Sequence, residues 1–147
     1  MIKSLYKILF IILCFNFSVI SQTKPLSILS EYIKIKSVSG NEKPAALYMK
    51  KLCEDFGFYT TVFSDTDSSY NFCASLVPLE KNLPAVLFIN HIDVVPVDEK
   101  GNWKHPAFSG VIDNDTLYGR GTLDMKGLAV MQVFALKKIK ENQKLDE

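Results

Sequence analysis

An excess of charge of either sign is missing from this chain. Lysine and arginine number 17 against 16 aspartate and glutamate, so the net charge is +1. Neither a nucleic-acid backbone nor an acidic membrane surface is indicated as a partner. Internal repeats and low-complexity tracts are also lacking. No uninterrupted apolar run reaches the ~20 residues of a membrane-spanning helix. The one candidate, Ile8 to Ile20, is broken by Asn16 and Ser18. Phosphate-loop spacing is absent too. After Gly119 and Gly121 the next glycine is Gly127, so neither G-x-G-x-x-G nor a Walker pattern is met. Cysteine is scarce, with three in 147 residues, a length that suits one ordinary domain.

What is present begins with a leader. Lys3 and Lys7 make a positive start, Ile8 to Phe17 is apolar, and Ser18 to Ser21 brings small and polar residues. The pattern predicts a signal peptide over 1–21, a mature chain over 22–147, and export to the periplasm or beyond. No stable membrane association is expected once the leader is removed. Bulky Leu13 stands where a lipid-modified Cys14 would want a small residue. The mature part keeps Cys53 and Cys73. Export permits a disulfide between them, but their apolar neighbours Leu52, Phe72 and Ala74 favour two separately buried thiols.

The order of elements predicts an α/β fold. Leu26, Ile28, Leu29, Tyr32, Ile33 and Ile35 recur at helical spacing. Asn41 is the expected N-cap of a second helix holding Ala45, Leu47, Met49 and Leu52, and Gly57 its stop. Phe58 to Phe63 and Tyr70 to Val77 read as strands around a polar turn. Ala85 to Ile89 is wholly apolar and is expected as a central strand buried on both faces. Val111 to Leu117 suggests a hairpin around Asp113-Asn114. Met125 to Ile139 is expected as a helix, with a fraying charged tail beyond it.

Two short constellations carry chemistry. His91 leaves the end of the most apolar strand with Asp93 two residues on, and in extended backbone both point to one face. A carboxylate beside an imidazole can fix its tautomer, as around metal-binding histidines. Asp124 follows the Gly119-Arg120-Gly121 turn at the mouth of the last helix. Each alone has a plainer reading: an ordinary loop for His91-x-Asp93, and an N-cap for Asp124.

Taken in order, the run from Ile89 to Gly127 resembles the M20 metallopeptidases. The matching text is His91-Ile92-Asp93-Val94-Val95-Pro96, Trp103-Lys104-His105-Pro106-Ala107-Phe108-Ser109-Gly110, Leu117-Tyr118-Gly119-Arg120-Gly121 and Asp124-Met125-Lys126-Gly127. Ile35 to Gly40 is similar to the end of that family's opening helix. The likeness is strongest with the aminoacylase-1 and carboxypeptidase S branch.

The resemblance implies a three-layer zinc-peptidase-type domain, with a parallel or mixed sheet flanked by helices. It implies His91 as a zinc ligand, Asp124 as the carboxylate bridging two zinc ions, and Asp93 as the catalytic-site carboxylate that orients His91. It further implies a cis peptide at Asp124–Met125. Zn2+ is the expected metal, with Co2+ or Mn2+ as substitutes. The implied reaction is hydrolysis of amide bonds in small peptides or N-acyl amino acids. Relatives often form homodimers. Asn90 departs from the small residue usual before the histidine. The family's general-base glutamate, its remaining ligands and its lid domain are expected downstream of Glu147.

Trp103 and Phe108 are read as loop packing and His105 as exposed and not a ligand. Arg120 is expected to hold the turn through a carboxylate or carbonyl, and Lys126 to be a solvated position. The competing reading is a non-catalytic fragment or pseudoenzyme with exposed apolar surface and marginal stability. A periplasmic binding module has no positive feature in its favour.

Overall fold

The computed structural model describes residues 24–67, 69–81, 83–98 and 101–142. The expected leader and the last five residues of the charged tail lie outside the described residues. The fold is α/β. Helix α1 spans 24–34, α2 Lys43–Asp55 and α3 Gly127–Asn142. Strands β1 (Tyr59–Asp65) and β2 (Tyr70–Ser75) form an antiparallel hairpin. A smaller hairpin joins β3 (Ile112–Asp113) to β4 (Thr116–Leu117).

The three helices close on one core. Tyr32 of α1, Ala45 and Met49 of α2, and Ala129 and Val130 of α3 are buried together. Ile28, Leu52, Phe72 of β2, Ile92 and Phe134 pack around them. Most of the apolar positions read from the periodicity of α1 and α2 therefore face inward, while Leu26 and Leu47 are exposed. Tyr32 and Tyr48 stack at 5.6 Å between centroids. Tyr48 also donates to the carbonyl of Ile28 (3.1 Å), which satisfies its hydroxyl at the edge of the core.

Helix ends differ from the sequence reading in detail. Glu42, not Asn41, precedes α2, and Pro44 occupies its first turn, where its missing N–H is no loss. Gly57 ends the helix as expected, with φ +72°. The second hairpin turns on Asn114 and Asp115, both at positive φ (47° and 59°). This is the handedness a two-residue hairpin loop favours, one residue later than expected. Cys53 is buried and Cys73 half-buried, both as free thiols. Burial pushes the Cys53 thiol up to about 12.

The largest departure is the apolar run before His91. Residues 83–93 pair with no other strand among the described residues. Val86 is 82% and Ile89 80% exposed. An all-apolar run signals a strand buried on both faces only when neighbouring strands and helices cover it, and the described residues supply no such cover. What anchors this segment is its end: Val94 forms a parallel bridge with Val38.

A candidate metal centre between two loops

His91 and Asp124 sit on two irregular segments held against the end of α1. The first segment is fixed by Ser37, which is fully buried. Its carbonyl accepts from Val94 N (2.8 Å), and its hydroxyl donates to the Ile92 carbonyl (2.8 Å). The second follows the glycine turn, in which Arg120 N donates to the Ala107 carbonyl (2.6 Å). Gly121 has φ +85°, and a Cβ there would lie 2.6 Å from Val94 Cγ1. At Gly119 a Cβ would lie 2.2 Å from Ile33 Cγ2. Both glycines thus let backbone press directly on the core and on the His91 segment.

Residues Thr122–Lys126 form a wide helical turn leading into α3, interrupted by non-helical Asp124 (φ −124°, ψ 94°) and Met125. The Asp124–Met125 peptide is cis, as the resemblance implies. No side-chain cap is made at the start of this turn. Asp124 lies inside this turn and not ahead of it, and its carboxylate, 88% exposed, reaches His91.

His91 Nε2 lies 2.9 Å from Asp124 Oδ1. On the other side of the ring, Nδ1 is 3.0 Å from the Asp93 carbonyl oxygen and 3.3 Å from Asp93 Oδ1. Asp93 Oδ2 in turn accepts from Ser39 Oγ at 2.7 Å. The Asp93 carbonyl calls for a proton on Nδ1, so Nε2 is the nitrogen turned toward Asp124. The Asp124 hydrogen bond raises the imidazole above its usual pKa. Partial burial opposes this, and Asp93 adds to it. The His91 backbone N–H points at Met125 Sδ (3.3 Å), a further contact between the two segments.

The donor set fits a borderline divalent ion: one imidazole nitrogen and one carboxylate oxygen facing each other on exposed ground. Two donors on a tetrahedral ion stand about 3.3–3.4 Å apart at ordinary bond lengths. The 2.9 Å contact would need to open by roughly half an ångström to admit one. Among the described residues no group of three or more His, Cys, Asp or Glu side chains is poised to hold a metal ion.

Several residues read as passive prove otherwise. Lys126, expected in solvent, is 1% exposed. Its Nζ donates to the carbonyls of Tyr32 (3.0 Å) and Ile35 (2.8 Å) and sits 4.6 Å over the Tyr32 ring. Burial pushes it down to about 8, while the two carbonyls and the ring face favour the ammonium. Arg120, expected to hold the turn through a carboxylate or carbonyl, lies over the Trp103 ring at 5.1 Å. His105 is half-buried, with Nε2 3.2 Å from Asp113 Oδ2 and its ring edge-on to Tyr118. Lys104 donates to the same Asp113 oxygen (2.7 Å). Ser37, Ser39 and Lys126 fell within the quoted family text, but nothing in their spacing marked them as ties between segments.

The α/β fold thus brings one imidazole and one carboxylate together beside a glycine turn. Residues 87–146 match the model of peptidase family M20/M25/M40. The chain is 28% identical to a probable succinyl-diaminopimelate desuccinylase of Staphylococcus aureus, over 86% of this chain and 30% of that protein. It is 35% identical to a succinyl-diaminopimelate desuccinylase of Afipia carboxidovorans, over 71% of this chain and 28% of that protein. A solved M20 family metallo-carboxypeptidase from Sulfolobus solfataricus superposes with a TM-score of 0.62 at 28% identity, over 80% of this chain and 27% of that one. The chain belongs to the M20 peptidase family. It spans less than a third of the length of the relatives it matches.

Proposed function

We propose that this chain carries part of the metal site of a hydrolase that cleaves amide bonds in small peptides or N-acyl amino acids. The observation that carries the reading is the 2.9 Å approach of His91 Nε2 to Asp124 Oδ1 inside the family-matched segment. Relatives named as desuccinylases and as a metallo-carboxypeptidase support a metal-dependent hydrolase.

In this reading His91 would hold a divalent ion, zinc first, through Nε2. Asp124 would bridge it to a second ion. Two such ions when bound lower the pKa of a water and polarise the scissile carbonyl. The protein's part is orientation. The Asp93 carbonyl accepts a hydrogen bond from Nδ1–H and so fixes the tautomer. The Asp93 carboxylate lies beside the ring and is itself held by Ser39. Such outer partners raise ligand basicity and pin the ring plane. Export by the 1–21 leader belongs to the same reading, as does the aminoacylase and carboxypeptidase S branch.

The alternative reading is a pseudoenzyme of the same family.

The test is a titration of Zn2+ into the metal-free chain, followed at the His91 imidazole nitrogens by NMR. Binding at Nε2 that His91→Ala and Asp124→Asn each abolish supports the metal site, and no response at His91 sinks it. Metal-dependent release of amino acid from N-acyl or dipeptide substrates, by a polypeptide extended to the length of its relatives, then separates hydrolase from pseudoenzyme.

A further inference from the structure

We propose that Lys126 is a positioning residue for this centre: its buried ammonium ties the turn that carries Asp124 to the same strip of backbone that holds the His91 segment. The inference rests on the reading of His91 and Asp124 as a metal pair.

The strip is the end of α1 and the residues after it, Tyr32 to Val38. It makes two sets of bonds. Toward the first segment, Ser37 bonds to both Ile92 and Val94, and Val38 bridges Val94. Toward the second, the carbonyls of Tyr32 and Ile35 accept from Lys126 Nζ. His91 lies one residue from Ile92, and Asp124 two residues from Lys126. Neither ligand stands in regular secondary structure of its own: His91 is in an unpaired segment and Asp124 has non-helical backbone angles. Their separation is therefore set by what each segment is fastened to. Both are fastened to one strip of backbone at and just beyond the end of α1.

The choice of lysine argues against packing alone. The Tyr32 carbonyl, at the end of α1, also accepts from Ile35 N at 3.3 Å, and a cation near carbonyls at a helix C-terminus is favourable. Yet an ammonium taken out of water carries a desolvation penalty that a methionine of similar length would not. A residue needed only to fill this space could be methionine. A residue needed to fix where the turn sits requires donors aimed at two particular oxygens.

The competing account is that direct contacts between the segments suffice. Gly121 against Val94 and the His91 N–H against Met125 Sδ are those contacts. On that account Lys126 serves stability only.

The experiment compares the full chain with Lys126→Met, Lys126→Gln and Lys126→Arg, each first checked for folding by far-UV circular dichroism. Zn2+ affinity is read at the His91 imidazole by NMR. A positioning role predicts that Met and Gln weaken Zn2+ binding by about 10- to 100-fold while folded, the range seen for outer partners of metal ligands. Arg, which keeps charge and donors, should recover part of the loss. Affinity within twofold of the parent in a folded Met or Gln variant overturns the proposal. So does unfolding of all three variants, which leaves a purely structural role. If Zn2+ does not reach His91 in the parent, the metal reading fails on its own. The positioning inference is then decided in the metal-free chain by the contact of the His91 backbone N–H with the Met125 side chain. Its nuclear Overhauser signal should be lost in the Lys126→Met variant, and retention overturns the inference.

Discussion

His91 and Asp124 are 33 residues apart in the chain, yet Nε2 of one lies 2.9 Å from Oδ1 of the other. Neither element brings this about alone. The first segment hangs from Ser37 and the second from Lys126, and both anchors are buried against the end of α1. The site is thus as sound as the packing of α1 beneath it.

That dependence predicts a strong effect at Ile33, which is fully buried in α1. Replacing it with alanine should lower unfolding free energy by about 2–5 kcal/mol, the range for large-to-small core changes. Leu123, beside Asp124 but 93% exposed, should change stability by less than about 0.5 kcal/mol when cut to alanine. Urea titrations of both variants would expose an error if the two losses proved comparable.

Gly121 and Gly40 separate two costs of the same substitution. Both have positive φ, +85° and +90°, but a Cβ at Gly40 meets nothing within 4 Å while one at Gly121 meets Val94 at 2.6 Å. Gly40→Ala should cost about 1 kcal/mol through backbone strain alone. Gly121→Ala should cost distinctly more and also disturb Zn2+ binding, because Val94 directly follows Asp93. Equal losses at the two positions would show that the turn yields freely.

Asp113 gives the protein an acid-sensitive tie. Hydrogen bonds from Lys104 and His105 hold its carboxyl below the usual range. A carboxyl with a lowered folded pKa adds stability above its unfolded value of about 3.9, and that stability is lost as pH falls through the lowered value. The parent should therefore lose more stability than Asp113→Asn between pH 5 and the acid limit. The three groups are partly solvent-exposed, so the effect is small. Parallel acid-induced melting profiles would contradict this.

The uncovered run at residues 83–89 predicts the behaviour of the isolated chain. Val86, Leu87, Phe88 and Ile89 are all exposed, and contiguous apolar surface of this kind drives association. The chain should bind a hydrophobic dye, self-associate with rising concentration and melt over a broad range. Lysine at Leu87 and Ile89 together should reduce dye binding and association without loss of helical signal. A sharp two-state melt of a monodisperse parent would refute the expectation.

Part of this was legible from residue order. The inward faces of α1 and α2 follow from periodicity near 3.6, the stop at Gly57 from its need for positive φ, and the β1–β2 hairpin from β-branched residues around a polar turn. The ligand pair was legible only through resemblance, since His91-x-Asp93 and a helix-leading Asp124 each have a commonplace reading. The apolar run at 85–89 departs from its expected burial for a physical reason. An apolar run states a preference for cover, and cover comes from other segments that its own residues do not specify.

The sequence by itself determined which segments would coil, turn or extend, because those choices depend on local sterics and on the spacing of apolar side chains. The tertiary structure alone decided that Lys126 would be buried and Asp124 exposed, though they are two residues apart. That outcome depends on distances between groups far apart in the chain: carbonyls of Tyr32 and Ile35 within reach of one ammonium, and an imidazole within reach of one carboxylate. Hydrogen bonds act over about 3 Å, and only folding sets which groups come that close.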